Sequence, residues 1–358
     1  MAALDQLRQK MTDEGLDAFL VTQAHNRRYL TGFSGSAGVL LITPTEQFLA
    51  TDSRYYERAK QEAPAWTLVK VLQRAEETLL ELITQLVLKG KKIGFEADSV
   101  TVAQLNKWGE TFEGVELVAT DNWVIELRAT KTEAEVEAIR KAISLADQAM
   151  LHIYNWIQPG MTEKEVAWEL EVYMRTRGAS ALSFETIVAA AENGASPHAS
   201  TSDRIIEYGD PVVIDMGCVV DDYCSDLTRT FSVGEPRHEN YREIWQIVLQ
   251  ANAAAAAGIE VGIPGNEADA LARKIIEGAG YGDNFGHSLG HGVGLYIHEY
   301  PRMSKIVEAP VEEGAVITIE PGIYLPGAFG VRLEDVALVT KEGVEILTGV
   351  PKIDVLAR

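Results

Sequence analysis

One local order occurs twice in the second half of the chain, and that repetition restricts the fold more than any other feature. QPGMTEKEVAWELEVYMRTRG (158–178) runs Pro-Gly, a capping Thr162, a helical stretch and a stopping glycine. IPGNEADALARKIIEGAG (263–280) runs the same way, with Asn266 in the capping place. Each unit follows a long helical pattern and precedes β-rich sequence. The first of those long helices is expected from Thr132, whose followers Glu133 and Glu135 suit a helix N-terminus, to Gln158. Helix, cap, helix and sheet, twice over, predict two related halves whose sheets meet around a shared pocket. The period is too long and the copies too few for a solenoid.

Earlier in the chain, short apolar runs alternate with helical patterns: AFLVT (18–22), VLLIT (39–43), QFLAT (47–51), TLVKV (67–71) and KIGFE (92–96). An amphipathic helix is expected at the N-terminus and another from Arg74 to Leu88, stopped by Gly90. This reads as an α/β domain with no ligand-spaced cluster of His, Asp or Glu, hence a supporting role. The pattern breaks between Thr120 and Thr132, so domains are expected at 1–125 and 126–358.

Charge excludes several function classes. Lys and Arg total 32 against 53 Asp and Glu, a formal charge of -21 with no basic patch, which argues against nucleic acid and anionic membranes as partners. The first twenty residues lack the apolar centre of a signal peptide and no run of 18 apolar residues follows, so the expected location is the cytoplasm. In that reducing compartment Cys218 and Cys224 are expected as small buried hydrophobes rather than a disulfide.

Four acidic residues break the strand patterns of the second half. PVVIDMGCVVDDYCSDLTRTFSV reads as an antiparallel hairpin with its turn near Val220 and Asp221, which sets Asp215 opposite Asp226 on one face. Facing like charges destabilise a sheet, so the placement calls for a cation. AVITIEPGIYLPGAFGVRLEDVALVT repeats the device: a turn at Pro326, Gly327 and Ala328 sets Glu320 opposite Glu334, with Gly330 a possible bulge. In GHSLGHGVGLYIHE, glycines 286, 290, 292 and 294 around His287, His291 and His298 argue against a helix and let the backbone at His291 approach a site closely. Four carboxylates with one imidazole suit two divalent ions sharing carboxylates, with Mn²⁺ expected first, Co²⁺ second, and Fe²⁺ or Zn²⁺ possible occupants.

The ordered set V-I-D-M-G, S-D-L-T-R-T, G-H-S-L-G-H-G-V-G-L…H-E, I-E-P-G-I-Y and V-R-L-E-D resembles the signature of the creatinase/prolidase/aminopeptidase P family from about Thr132 to the end. RRYLTGFSGSAG and ATDSRYYERA resemble the creatinase-type N-terminal domain of short bacterial Xaa-Pro aminopeptidases. The resemblance implies an α+β chain: an N-terminal α/β creatinase-type domain, then a pita-bread catalytic domain with pseudo-twofold halves. It implies that Asp226 and Glu334 bridge two metals, that Asp215 chelates one and that His291 with Glu320 completes the other. His198 in NGASPHAS resembles a residue that steadies the oxyanion, and His287 and His298 resemble a substrate-contacting pair. Arg332 resembles an arginine that orients substrate or the metal carboxylates. A homodimer is implied as well.

The expected activity is that of an Xaa-Pro aminopeptidase, in which hydroxide held between the ions attacks the carbonyl before a prolyl nitrogen and Glu320 relays the proton. The alternative is an Xaa-Pro dipeptidase. A methionine aminopeptidase is disfavoured by the size of the N-terminal domain. Metal-free amidine hydrolysis and a catalytically silent binding protein are disfavoured by retention of all five ligand positions. Tyr223 and Thr228, flanking the first hairpin, are expected behind the ligands; His25, His152 and His238 are expected to be surface or packing residues.

Overall fold

The computed structural model describes residues 3–72, 74–86 and 88–358. The chain divides into two compact units, 1–128 and 129–358.

In the first unit, AFLV is buried along its whole length, as a run without alternation must be. Strand Ala18–Val21 lies inside a six-stranded sheet whose spatial order is Thr67–Val71, Gln47–Asp52, Val39–Ile42, Ala18–Val21, Lys92–Glu96, Glu116–Thr120. Phe19 and Val21 feed the core on one face, Ala18 and Leu20 the core on the other. The five expected strands are present. The sixth, Glu116–Thr120, is an added edge whose half-exposed residues give little apolar signal. The helix expected over 74–88 spans Ala75–Gln85, with Val87 outside the described residues, and the N-terminal helix spans Ala3–Asp13, with Met1 and Ala2 likewise outside. Where the pattern breaks after Thr120, helix Trp123–Ala129 carries the chain past the division, which falls at 128/129 rather than 125/126.

The second unit has the doubled order. Helices Glu133–Trp156 and Glu163–Thr176 cover a four-stranded sheet ordered Val355–Leu356, Leu227–Val233, Pro211–Met216, Ile187–Ala190, and share one apolar core with it. Helices Tyr241–Gly258 and Gly265–Gly278 cover a five-stranded sheet ordered Glu299–Met303, Gly290–Gly292, Val316–Ile319, Asp335–Thr340, Gly343–Ile346, with a second core. This is the pita-bread arrangement in an α+β chain. The Thr132 and Thr162 caps form capping boxes with Glu135 and Glu165. Asn266 does not cap. The N-cap is Pro264, and the amides of Gly265 and Asn266 donate to Ala309 O (3.0 Å) and Val307 O (2.6 Å), so tertiary acceptors replace the side chain. No helix among the described residues is long and apolar enough to cross a membrane.

Candidate functional site

The carboxylates reach one cavity by two different routes. In the first hairpin the turn is Asp221–Asp222, both in the left-handed region at φ 51° and 70°, which makes a tight two-residue turn. Pairing therefore runs Val220↔Tyr223 and Asp215↔Thr228, so Asp215 faces Thr228 and not Asp226. The expected register is wrong by two residues. Because side chains alternate with a period of two, an even error leaves both carboxylates on the expected face, now as diagonal neighbours. In the second hairpin the pairs Ile319↔Asp335 and Gly322↔Arg332 share one register, without a shift at Gly330, and bracket Glu320 and Glu334 as opposite residues.

A cavity of about 460 Å³ is lined by Asp215, Asp226, Glu320, Glu334 and His291 together with His198, His287, His298, Arg302 and Arg332. Every sequence-derived site residue is present, including four of the chain's seven histidines. His25, His152 and His238 are not among its lining: His152 accompanies Glu169 at 2.7 Å, and His238 packs on Phe329. Carboxylate oxygens of Asp215, Asp226 and Glu334 lie within 4.8 Å of one another. Burial, then the Glu334 carboxylate, pushes Asp226 well above the usual range; burial, then Glu320, does the same to Glu334. Glu320 is raised to about 7 by burial.

These residues fit divalent ions on grounds internal to the site. Among the described residues Arg332 is the Lys or Arg in direct contact with these carboxylates, its Nη2 donating to Asp215 Oδ2 at 2.6 Å, and one guanidinium does not balance four carboxylates. Asp215 Oδ1 is buried without a partner. His291 Nδ1 lies 3.1 Å from Gly292 O, an acceptor, so Nδ1 carries the proton. The Nε2 lone pair then faces carboxylate oxygens of Glu320 at 3.3 Å and Asp226 at 3.6 Å. Burial, with His298 acting the same way, holds His291 neutral down to about 3. A neutral nitrogen and carboxylate oxygens converging without a donor between them make a cation site.

Behind the ligands lies a layer of hydrogen bonds. Thr228 Oγ1 donates to Glu334 Oε2 (2.7 Å) and accepts from Arg332 Nε (3.1 Å), and Thr318 Oγ1 donates to Glu320 Oε1 (3.0 Å). Tyr223 is not among the residues lining the cavity, and its hydroxyl donates to Glu135 Oε1. Arg332 Nη1 donates to Tyr324 OH (2.7 Å) and to Pro197 O (3.1 Å), the carbonyl preceding His198. The loop bearing His198 is also tied down by Glu163, fully buried at the start of its helix, which accepts from Ala190 N, Asn193 Nδ2, Ser202 N and Ser202 Oγ. His287 is engaged at both nitrogens, by Ser288 O (2.8 Å) and Tyr324 OH (3.0 Å), and burial holds it down to about 4. His298 is exposed, edge-on to His291 at 4.5 Å, while its neighbour Glu299 is buried against Lys131 Nζ at 3.2 Å.

Tyr324, Thr318 and Arg302 were not among the expected residues. The first two share the alternation of Glu320 along one strand path, a signal that was available. Arg302 pairs across a ladder with His291, with a register shift beside it, and no local pattern reveals that.

Residues 4–130 match the creatinase/prolidase N-terminal domain and residues 137–341 match metallopeptidase family M24. The structure of an Xaa-Pro dipeptidase from Bacillus anthracis superposes with a TM-score of 0.95 at 41% identity, covering 99% of each chain. The X-Pro aminopeptidase of Thermotoga maritima MSB8 gives 0.88 at 38% identity, over 95% of this chain and 98% of that one. An Xaa-Pro dipeptidase of Pyrococcus furiosus is 38% identical over 96% of this chain and 97% of its own length. The chain belongs to the M24 metallopeptidases, hydrolases that use divalent metal ions, and carries the creatinase/prolidase N-terminal domain ahead of the catalytic one.

Proposed function

We propose that this metallopeptidase is an Xaa-Pro dipeptidase, cutting the bond before proline in two-residue substrates. The observation that carries the choice is Arg302, an exposed guanidinium lining the same cavity as the five metal-type ligands. In Xaa-Pro the free carboxylate lies one residue beyond the scissile bond, within reach of a cation in the cavity wall. A longer peptide replaces that charge with an amide and leaves Arg302 without an anion. The dipeptidases from Bacillus anthracis and Pyrococcus furiosus support this reading. Xaa-Pro aminopeptidase is the second reading, favoured by the likeness to the Thermotoga maritima enzyme.

Asp215, Asp226, His291, Glu320 and Glu334 would hold two ions, manganese before cobalt because the donors are mainly oxygen. Such ions supply Lewis acidity, lowering the pKa of water and polarising the scissile carbonyl. Glu320, oriented by Thr318, relays a proton toward the leaving prolyl nitrogen. His198 donates to the oxyanion from a loop held by Arg332 and Glu163. His287 and His298 flank the substrate, His287 as a fixed wall because Tyr324 and Ser288 occupy its nitrogens, and Arg332 orients Asp215. A homodimeric cytoplasmic enzyme is part of the proposal, and light scattering of the purified protein measures its mass.

The test is a matched pair, Xaa-Pro and Xaa-Pro-Yaa, assayed after chelation and readdition of Mn²⁺, Co²⁺, Fe²⁺ or Zn²⁺. Faster turnover of the dipeptide, with that preference lost in Arg302→Ala, is the expected result. Equal or better turnover of the tripeptide hands the assignment to the aminopeptidase, and no turnover of either with any metal defeats both.

A further inference from the structure

Asn252 is out of place. It lies in helix Tyr241–Gly258 among Tyr241, Ile244, Trp245, Val248, Ala251 and Ala255, all buried, and is itself 3% exposed. A polar side chain in such a stripe weakens the core unless specific partners hold it there. Two backbone carbonyls do so. Asn252 Nδ2 donates to Ile319 O (2.9 Å) and to Leu333 O (3.3 Å), the carbonyls immediately before Glu320 and Glu334.

The two glutamates stand where their hairpin opens. One ladder ends at Ile319↔Asp335 and the next begins at Gly322↔Arg332. Between them the hairpin keeps one long bond of its own, Leu333 N to Pro321 O (3.4 Å), while Glu320 N donates to Leu289 O (2.8 Å), just before strand Gly290–Gly292, and Glu334 N to Thr228 O (3.1 Å) in strand Leu227–Val233. Both side chains line the cavity, and the separation of the strands here rests on that one 3.4 Å bond and on groups outside the hairpin. Asn252 spans the gap from behind, holding both backbones through one planar amide.

We infer that Asn252 is a positioning residue that sets the spacing of Glu320 and Glu334 and, through it, the affinity for the paired metal ions. A rigid amide fixes two carbonyls at one distance, so the following Cα atoms, from which the carboxylates project, are fixed together. Cutting this link leaves the gap to the single 3.4 Å bond between Leu333 N and Pro321 O and loosens the spacing of the glutamates, and a site shared by two ions is more sensitive to that than a site for one. The inference rests on the two-metal reading of the cavity.

Metal-stripped wild type, Asn252→Leu and the smaller Asn252→Ser are titrated with Mn²⁺ by calorimetry, and the loaded proteins are compared by electron paramagnetic resonance for spin coupling between paired ions. The wild type is expected to bind two coupled ions. Each variant is expected to bind Mn²⁺ about 10- to 100-fold more weakly, the usual consequence of losing a group that holds a ligand, with altered coupling. A merely structural asparagine lowers the unfolding temperature but leaves affinity and coupling of the folded protein at wild-type values; that result overturns the inference alone. Failure of both variants to fold assigns Asn252 to fold stability and overturns it too. A wild type that binds fewer than two ions overturns the two-metal reading and this inference with it.

Discussion

The two hairpins that supply the carboxylates solve the same problem in opposite ways. The first, Pro211 to Val233, breaks its ladder between Met216↔Leu227 and Val219↔Cys224 but bridges the break with its own residues, Ser225 N donating to Cys218 O and Cys218 N to Ser225 Oγ, and presents Asp215 and Asp226 diagonally before a tight turn at Asp221–Asp222. There Gly217 allows the close approach, since a Cβ at that position would lie 2.1 Å from Ser225 O. The second opens at its middle and presents Glu320 and Glu334 from the gap, steadied by Asn252 and by neighbouring strands. One hairpin closes its opening with its own residues, the other with groups from elsewhere in the unit. The first should therefore tolerate changes at its tip, whereas the second depends on the groups packed around the opening.

The sharpest way to break this contrast is to remove a carboxylate that both hairpins need. Glu334→Ala should lower peptide hydrolysis at least about 1000-fold, the scale seen when a member of a catalytic constellation is lost, and reduce the bound metal measured by mass spectrometry. Retained activity would separate the hairpins from the chemistry altogether.

Titration of the metal-stripped protein gives the next largest effect. Glu320 is raised in the fold from 4.5 to about 7, so the folded state holds a proton that the unfolded state releases. Stability from this group is present below 4.5 and is lost as the pH rises toward 7. The unfolding temperature of stripped protein should fall by roughly 5–10 °C over that interval. Metal should restore it, and Glu320→Gln should make the fall shallower while leaving the part that comes from Asp226 and Glu334. A flat profile in the stripped wild type would mean the cluster is not strained by its own charge.

Thr228→Val removes the hydroxyl that joins the hairpins by donating to Glu334 and accepting from Arg332. Metal binding should weaken about 10-fold, measured by calorimetry. The smallest expected effect tests the tolerance of the first tip: Asp222→Asn keeps a residue type that accepts the left-handed backbone at φ 70° and should move stability by no more than about 0.5 kcal/mol in denaturant unfolding, with activity unchanged.

Much of the site was legible because its residues violate the patterns around them. A carboxylate inside an apolar strand run stands out in the sequence alone, and period-two alternation makes its face robust to even errors of register, which is why misplacing the first turn did not misplace Asp226. Asn266 shows the opposite case. Its sequence fits a cap, but the backbone carbonyls of Val307 and Ala309 reached the orphan amides first. Arg302 and Asn252 were invisible for the same reason: each acts on partners distant in the chain, and nothing local distinguishes a surface arginine or a helical asparagine from one that serves a site. The sixth strand of the first unit was missed because an exposed edge carries a weak apolar pattern.

The buried pair of Lys131 and Glu299 has a consequence for how such a chain changes over generations. Its side chains are 1% and 2% exposed, and Glu299 directly follows His298 in the cavity wall. Breaking a buried pair from one side strands the other charge at about 3–5 kcal/mol, a large fraction of a domain's stability. Neither position is free to drift alone. A change at residue 131, at the entrance to the long first helix of this unit, should favour a matching change at residue 299, so two sites 168 residues apart are expected to vary together.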